Sequence, residues 1–338
     1  MFIVNTYFTA VIFCVITMLC WGSWANTQKL ASKSWSFQLY YWDYALGVVL
    51  FSLVMALTLG SNGDSGREFL QDIQQASTSA LMSAFIGGVI FNLANLLIVA
   101  AIDIAGMAVA FPVGIGIALV LGVLVNYFAV PVGDPLLLFS GVLLVALAII
   151  FDALAYRGVS DSGHQVSNKG ILLSLLGGVL MGFFYRFVAA SMSLNFSEPE
   201  IGMMTPYSAV FVFSLGLLIS NFIWNTIFMY RPLTGSPVTY GDYYLKGNIQ
   251  LHAIGLLGGA IWCLGMSLNI LASEKAGFAI SYGLGQGATM VAAIWGVFIW
   301  REFEGSPKSS QRLIKWMFVC FLAGLLSVSY THLTLPTT

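Results

Sequence analysis

The chain has 338 residues, of which 59% are hydrophobic and only 8% are charged. Because a soluble domain carries about 25% charged residues, this composition excludes a soluble globular protein and indicates an integral membrane protein. The Lys+Arg count of 13 nearly balances the Asp+Glu count of 14, which argues against a nucleic-acid partner.

Long apolar runs follow one another along the whole chain. A bilayer core of about 30 Å needs about 20 apolar residues per spanning helix, and ten runs meet this length. We therefore predict an all-α integral membrane fold with ten transmembrane helices. The spans are 4–26, 38–60, 80–102, 106–129, 135–156, 170–192, 204–230, 250–272, 276–300 and 311–329.

The segments outside these runs give three further expectations. The first run lacks a preceding basic segment, so we expect a retained helix rather than a cleaved signal peptide. Residues 67–77 have the pattern of a short amphipathic surface helix. Residues 330–338 have no helical pattern, and we expect this tail to lie outside the native fold.

The loop charges predict how the helices are oriented in the membrane. The loops after odd-numbered spans, together with the first residues of the last span, carry 10 Lys and Arg residues, and the loops after even-numbered spans carry 2. Because cytoplasmic loops are enriched in Lys and Arg, we expect a multi-pass inner-membrane protein with both termini outside and loop 157–169 in the cytoplasm.

An internal repeat relates the two halves of the chain. Residues 87–116 align with residues 258–287 without a gap, at an offset of 171, and 11 of 30 positions are identical. We predict two five-helix repeats, 1–156 and 170–329, joined by linker 157–169. An odd number of spans per repeat places the second repeat upside down, and inverted repeats are typical of transporters that open to either side.

Few ionisable residues fall inside the spans. Asp43 lies five or six residues into the second span, flanked by three tyrosines and a tryptophan. Loss of water favours the protonated carboxyl group, so Asp43 is our candidate for proton coupling; the alternative is an interfacial carboxylate in an aromatic belt. Arg186 faces a wet cavity, snorkels outward or pairs with a carboxylate. Asp152 lies near the cytoplasmic end of the fifth span, and we interpret Asp103 and Asp134 as solvated caps.

Neutral polar and aromatic residues supply the candidate solute contacts. Amides and flat rings fit a neutral, planar or hydroxylated solute, whereas a phosphate ester would need several cations. The alternative for the aromatic residues is ordinary packing. The candidate solute-binding residues of this kind are Asn92, Asn95, Gln286, Trp21, Trp24, Tyr207, Trp262 and Tyr282.

The cysteines and histidines do not form a recognisable site. The four cysteines lie singly in apolar segments, and the three histidines are isolated in sequence. We therefore predict no metal site, no cofactor and no disulfide framework.

Several segments together resemble the ureide permease family of the drug/metabolite transporter superfamily. They include "YYWDYALG", "GGVIFNLANL", "FMYRPLTG" and "GLGQGATMVAAIWGVFIWREFEGSPKSS". More distantly the chain is similar to glucose/ribose porters and the rhamnose–proton symporter. The resemblance implies ten helices in two inverted halves and proton-coupled uptake of small heterocycles such as allantoin or uracil. It also implies functional roles for Asp43 with Tyr44, for Asn95 and for Gln286.

The function expected from these features is secondary active transport by alternating access, not enzymatic catalysis. The solute would be a ureide or nucleobase, driven by protons or by sodium, and the protein would be a monomer or homodimer in the bilayer. A monosaccharide importer is the alternative within the class. A multidrug exporter and a non-transporting receptor are the alternatives from other classes.

Overall fold

The computed structural model describes residues 1–31, 35–158, 167–233 and 235–331. The named elements in these ranges are helices. A five-residue π-helix, Trp295–Ile299, follows α13. The α-helices are α1 (Tyr7–Ser23), α2 (Ala25–Ala31), α3 (Phe37–Leu57), α4 (Phe69–Gln75), α5 (Thr78–Ala105), α6 (Met107–Ala129), α7 (Pro135–Arg157), α8 (Asn168–Ala190), α9 (Pro206–Tyr230), α10 (Tyr240–Lys246), α11 (Ile249–Ala276), α12 (Phe278–Gly285), α13 (Ala288–Ile294) and α14 (Lys308–Tyr330).

The predicted all-α fold with ten spanning helices is confirmed. Within the described ranges, ten helical segments are long and apolar enough to cross a membrane. The first is α1 with α2, and the ninth is α12, α13 and the π-helix in succession. The short helix expected within residues 67–77 is α4.

The end of the last helix differs from the expectation for the tail, residues 330–338. α14 includes Tyr330, and the backbone carbonyl of Thr331 accepts a hydrogen bond of 3.0 Å from the amide of Asp134. The ordered helix therefore includes the first residue of the tail that the sequence sets aside. Residues 332–338 and most of loop 157–169, including His332 and His164, lie outside the described residues.

Two compact units make up the described chain. Unit 1 contains Met1–Asn92 and Phe184–Lys275, and unit 2 contains Leu93–Phe183 and Ala276–Thr338. Each unit therefore draws residues from both predicted repeats. The repeat boundary at 157–169 stays a prediction.

Within unit 1, α5 and α9 approach each other closely through two glycines. A β-carbon on Gly88 would overlap the carbonyl oxygen of Phe213, and one on Gly216 would overlap the carbonyl oxygen of Phe85. Small residues permit such close contact between membrane helices. Here the backbones themselves touch, so neither position has room for a methyl group.

Helices α11 and α3 make a matching contact in the same unit. A β-carbon on Gly259 would overlap the carbonyl oxygen of Tyr44, and one on Gly47 would overlap the carbonyl oxygen of Leu256. The equivalent contact residues are separated by nearly constant distances along the chain. Those on α11 (256 and 259) follow those on α5 (85 and 88) by 171 positions, and those on α9 (213 and 216) follow those on α3 (44 and 47) by 169 positions. The same helix–helix contact thus occurs twice at nearly constant spacing, which is the pattern expected of an internal repeat.

A buried ion pair holds the segment between α3 and α5 against the loop that precedes α9. Asp72 on α4 is fully buried, and its Oδ1 accepts a 2.8 Å hydrogen bond from Arg67. The other carboxylate oxygen accepts from the backbone amide and hydroxyl of Thr205, at 2.7 and 2.9 Å. Arg67 also donates to the backbone carbonyls of Pro199 and Met203. This network fixes α4 to the loop that precedes α9.

We expect Asp72→Ala to destabilise the protein strongly. Removing one partner leaves the guanidinium of Arg67 without its carboxylate in a largely buried site, a change that costs about 3–5 kcal/mol. The measurement is the apparent melting temperature of the purified protein in detergent. Asp64→Ala, which removes an exposed carboxylate between α3 and α4, is the matched control and should change little because surface substitutions of this kind have small effects. Equal melting temperatures for the two variants would contradict a structural role for this network.

Candidate functional site in unit 1

Asp43 lies on α3 and is 2% exposed. Its β-carbon is packed against Gly255 of α11, where a β-carbon would overlap it. An ionised carboxylate in such a place needs partners, because an unpaired buried charge is costly. The residues around Asp43 therefore determine what the site can do.

His252 and Tyr243 supply those partners. Nδ1 of His252 lies 3.0 Å from both carboxylate oxygens of Asp43. The hydroxyl of Tyr243 donates to Oδ1 at 2.5 Å. A carboxylate and an imidazole in direct contact can hold one proton between them or carry a second one, so the pair is suited to binding and releasing protons.

The surroundings of His252 orient its ring. The indole of Trp35 meets the imidazole edge-on, with ring centroids 5.3 Å apart, and the ring of Tyr243 lies 4.7 Å from it. Burial, together with the nearby Asp43 carboxylate, raises the pKa of Tyr243 well above its usual range. The Tyr243 hydroxyl therefore remains a donor to Asp43 at all ordinary pH values.

Helix α10 carries Tyr243 to Asp43 and is stabilised at its start. The hydroxyl of Thr239 accepts from the amide of Asp242, and the Asp242 carboxylate accepts from the amide of Thr239, which forms a capping box. Hydrogen bonds from Lys246 and then from Thr239 lower the pKa of Asp242 to about 2. The N-terminus of α10 is thus capped by local interactions that do not involve Asp43.

Aromatic side chains of α1, α3 and α11 form a cluster within unit 1. The rings of Trp21 and Trp262 stack with centroids 6.0 Å apart, and the Trp21 indole donates to the carbonyl of Trp262 at 3.2 Å. Trp24 lies 4.9 Å from Tyr44, and Tyr44 lies 6.4 Å from Trp262. Four of the candidate residues therefore meet, although Tyr44 and Trp262 are almost fully buried against other rings.

Positions that are equivalent under the predicted repeat lie together in this cluster. Phe91 of α5 corresponds to Trp262 of α11 at the offset of 171, and their centroids are 4.4 Å apart. Phe213 of α9 corresponds to Tyr44 of α3 at the offset of 169, and it stacks on Trp262 at 5.8 Å. The cluster therefore lies where the repeated contacts of unit 1 converge.

The polar groups beside these rings differ in how they are satisfied. The amide nitrogen of Asn92 donates to Ser220 Oγ at 2.8 Å and to the carbonyl of Leu217 at 3.2 Å, which ties α5 to α9. Its carbonyl oxygen, like the hydroxyl of Tyr44, is buried without a hydrogen-bond partner among the residues that the structure describes. The Asn92 nitrogen is therefore used for packing between α5 and α9.

The other candidate residues of unit 1 lie elsewhere. Tyr207 is at the opposite end of α3, packed against Gly60, and its hydroxyl donates to the carbonyl of Phe2 at 3.0 Å. It also lines a crevice of about 190 Å³ that is too narrow to admit a water molecule. Arg186 on α8 is partly exposed, and no ion pair is formed by it within the described ranges.

Three candidate residues belong to unit 2. Tyr282 is fully buried, and its hydroxyl donates to the carbonyls of Ala118 and Met181 at 3.1 and 3.3 Å. Asn95 is 7% exposed. Gln286 is the C-cap residue of α12 and is partly exposed.

Two sequence expectations about polar residues have clear outcomes. Asp134 is the N-cap of α7, where its carboxylate accepts from the amides of Leu136 and Leu137. His252 is isolated in sequence but not in the structure, where it is the fourth residue of α11 and contacts Asp43. The signal that would have found it is physical: a carboxylate near one end of a span needs a donor at the same depth.

Comparisons with known proteins agree with this architecture. The family model described as ureide permease matches residues 40–169 and 164–329. Ureide permease 1 of Arabidopsis thaliana is 21% identical over 96% of this chain and 97% of its own length. Ureide permease 5 of the same plant is 23% identical over 97% and 96% of the two chains. A protein of Streptococcus agalactiae named for sugar uptake is 22% identical over 52% of this chain and 70% of its own.

A solved crystal structure supports the fold alone. It covers 94% of this chain and 96% of its own, with a TM-score of 0.57 and 14% identity. The helices, the buried polar groups and these relatives define the protein as an all-α integral membrane transporter. The chain belongs to the ureide permease family.

Proposed function

We propose that this protein is a proton-coupled importer of a small neutral polar solute, such as a ureide or a nucleobase, working by alternating access. The observation that carries the proposal is the buried carboxylate of Asp43 held by His252 and Tyr243. The ureide permeases among its relatives give the solute class by their names. Both termini would lie outside, as the distribution of Lys and Arg predicts.

Asp43 would take up the coupling proton. In its ionised form the carboxylate accepts hydrogen bonds from Tyr243 and from a protonated Nδ1 of His252. A proton arriving on Oδ2 removes the negative charge and breaks the contact with that N–H, while the Tyr243 hydroxyl keeps its bond to Oδ1. This change weakens the link between α3 and α11, the two helices that touch at Gly47 and Gly259.

The partners of Asp43 favour a proton over sodium. Sodium, like other hard cations, prefers a shell of oxygen ligands. Tyr243 donates its hydroxyl proton toward the carboxylate, and His252 presents a nitrogen. Both side chains are oriented as donors to the carboxylate, and neither adds a second anionic oxygen that a hard cation would favour.

The solute would be recognised by stacking on aromatic rings and by a few hydrogen bonds. Trp21, Trp24 and Trp262 offer flat surfaces, the Tyr44 hydroxyl and the Asn92 carbonyl oxygen are the candidate hydrogen-bonding groups in unit 1, and Asn95 and Gln286 are the candidate readers in unit 2. The contribution of Arg186 would be a contact to a carbonyl of the solute. A monosaccharide is the second candidate, favoured by the relatives named for sugar uptake, since rings and amides also suit a sugar.

Uptake by proteoliposomes with a panel of solutes tests the function. We expect a ureide or nucleobase to accumulate when the outside is made more acidic than the inside, and hexoses, pentoses and cationic dyes not to. Accumulation of a sugar instead would favour the second candidate, and dye efflux would favour an exporter. Binding without flux for every member of the panel would contradict transport. An imposed sodium gradient at equal pH is the control for the coupling ion.

A further inference from the structure

A second buried carboxyl group lies in unit 2, near the end of α7. Asp152 is 6% exposed. Its Oδ1 is buried without a hydrogen-bond partner, and no ion pair is formed by its carboxyl group among the residues that the structure describes. This differs from Asp43, whose carboxylate is held by two side chains.

Asp152 shares a face of α7 with Tyr156, which binds a second acidic group, Glu302. Tyr156 follows one turn later, so the two side chains lie on the same face of α7. The hydroxyl of Tyr156 donates to Oε2 of Glu302 at 2.5 Å, and its ring packs on Phe303 with centroids 4.7 Å apart. Glu302 thus receives a short hydrogen bond beside the face of α7 on which Oδ1 of Asp152 has no partner among the described residues.

The backbone beyond α13 is shaped to place Glu302 there. The π-helix ends with the amide of Trp300 donating to the carbonyl of Trp295, and the amide of Glu302 then donates to the carbonyl of Gly296 at 3.0 Å. Arg301, between them, has a φ of 52°. A β-carbon on Gly296 would lie 2.8 Å from the Tyr156 hydroxyl and 3.0 Å from Oε2 of Glu302. π-Helices occur frequently at functional sites.

The cations of the neighbouring elements do not neutralise Asp152. On α14 the buried positions at this end are Ser310 and Ile314, whereas Lys308, Arg312 and Lys315 are exposed. Arg157 on α7 and Arg301 after the π-helix are exposed as well. The sequence of α6, which also packs against α7, contains no charged residue.

We propose that Asp152 is a proton-binding site, held protonated beside Glu302, whose carboxyl group is fixed by Tyr156. A buried ionised carboxylate with no partner is strongly unfavourable, and a second acidic group nearby makes it more so. The ligand is a proton: within the described residues no group of three or more His, Cys, Asp or Glu side chains is placed to hold a metal ion. The role of this site, a second protonation step in unit 2, rests on the proposed function of proton-coupled transport.

Infrared difference spectroscopy of the complete protein in nanodiscs tests the assignment without any solute. At neutral pH we expect a C=O stretching band of a protonated carboxyl group that shifts on labelling with ¹³C-aspartate. Asp152→Asn should remove the band, and Asp43→Asn should leave it in place. Because Asn is nearly isosteric and neutral, Asp152→Asn should fold with an unchanged or higher melting temperature.

Two outcomes would overturn this proposal. One is a wild-type spectrum with no aspartate-dependent band at neutral pH, which needs no variant to be interpreted. The other is a band that added sodium removes, since this would make the group a cation ligand. Failure of every solute to be transported would contradict the proposed function but would leave the band, so the two failures are distinguishable.

Discussion

Asn in place of Asp43 is expected to abolish accumulation driven by a pH gradient while leaving solute exchange at equal pH intact. The amide keeps the shape of the carboxyl group and can still accept from Tyr243, but it cannot bind or release a proton. With one proton per solute, one unit of pH supports about tenfold accumulation, and this factor should fall to one. The measurement is the steady-state ratio of solute inside and outside proteoliposomes.

Asp64→Asn is the control for that experiment, since Asp64 is an exposed carboxylate in the segment between α3 and α4. It should accumulate solute as the wild type does. If Asp43→Asn accumulates solute undiminished under the same gradient, the coupling role of Asp43 is wrong. If both variants lose accumulation, the loss reflects general charge effects and not the site.

Alanine at Gly88 or Gly259 is expected to give a large loss of stability. Each new methyl group would overlap a backbone carbonyl, of Phe213 in one case and of Tyr44 in the other, and a backbone cannot yield as the end of a side chain can. Overpacking of this kind costs about 1–3 kcal/mol, and we expect the apparent melting temperature to fall by roughly 5 °C or more. The measurement is thermal unfolding of the purified protein in detergent.

Gly116→Ala is the matched control, because a β-carbon there meets nothing within 4 Å. Alanine is the better helix former by about 1 kcal/mol, so this variant should be as stable as the wild type or more stable. A similar loss in all three variants would show that the close contacts at Gly88 and Gly259 do not limit stability. A loss at one of the pair alone would argue against equivalent roles in a repeated contact.

Some features of this protein follow from its sequence alone. The ten spans follow from run length alone, because a bilayer imposes one length on every helix. Asp43 stands out because a carboxylate in an apolar span is rare and costly. The solute contacts are less well defined by the sequence: Tyr207 lies far along α3 from the aromatic cluster, and the Asn92 nitrogen ties α5 to α9.

By itself the sequence determined the number of membrane spans, the family and the unusual acid near the start of α3, since each depends on composition or order along the chain. The tertiary structure decided which groups satisfy that acid, because His252 and Tyr243 are 209 and 200 positions away from it and no local pattern encodes such a meeting. It also separated two buried carboxyl groups that look alike in sequence. Asp43 has donors within hydrogen-bonding distance, and Asp152 has none among the described residues.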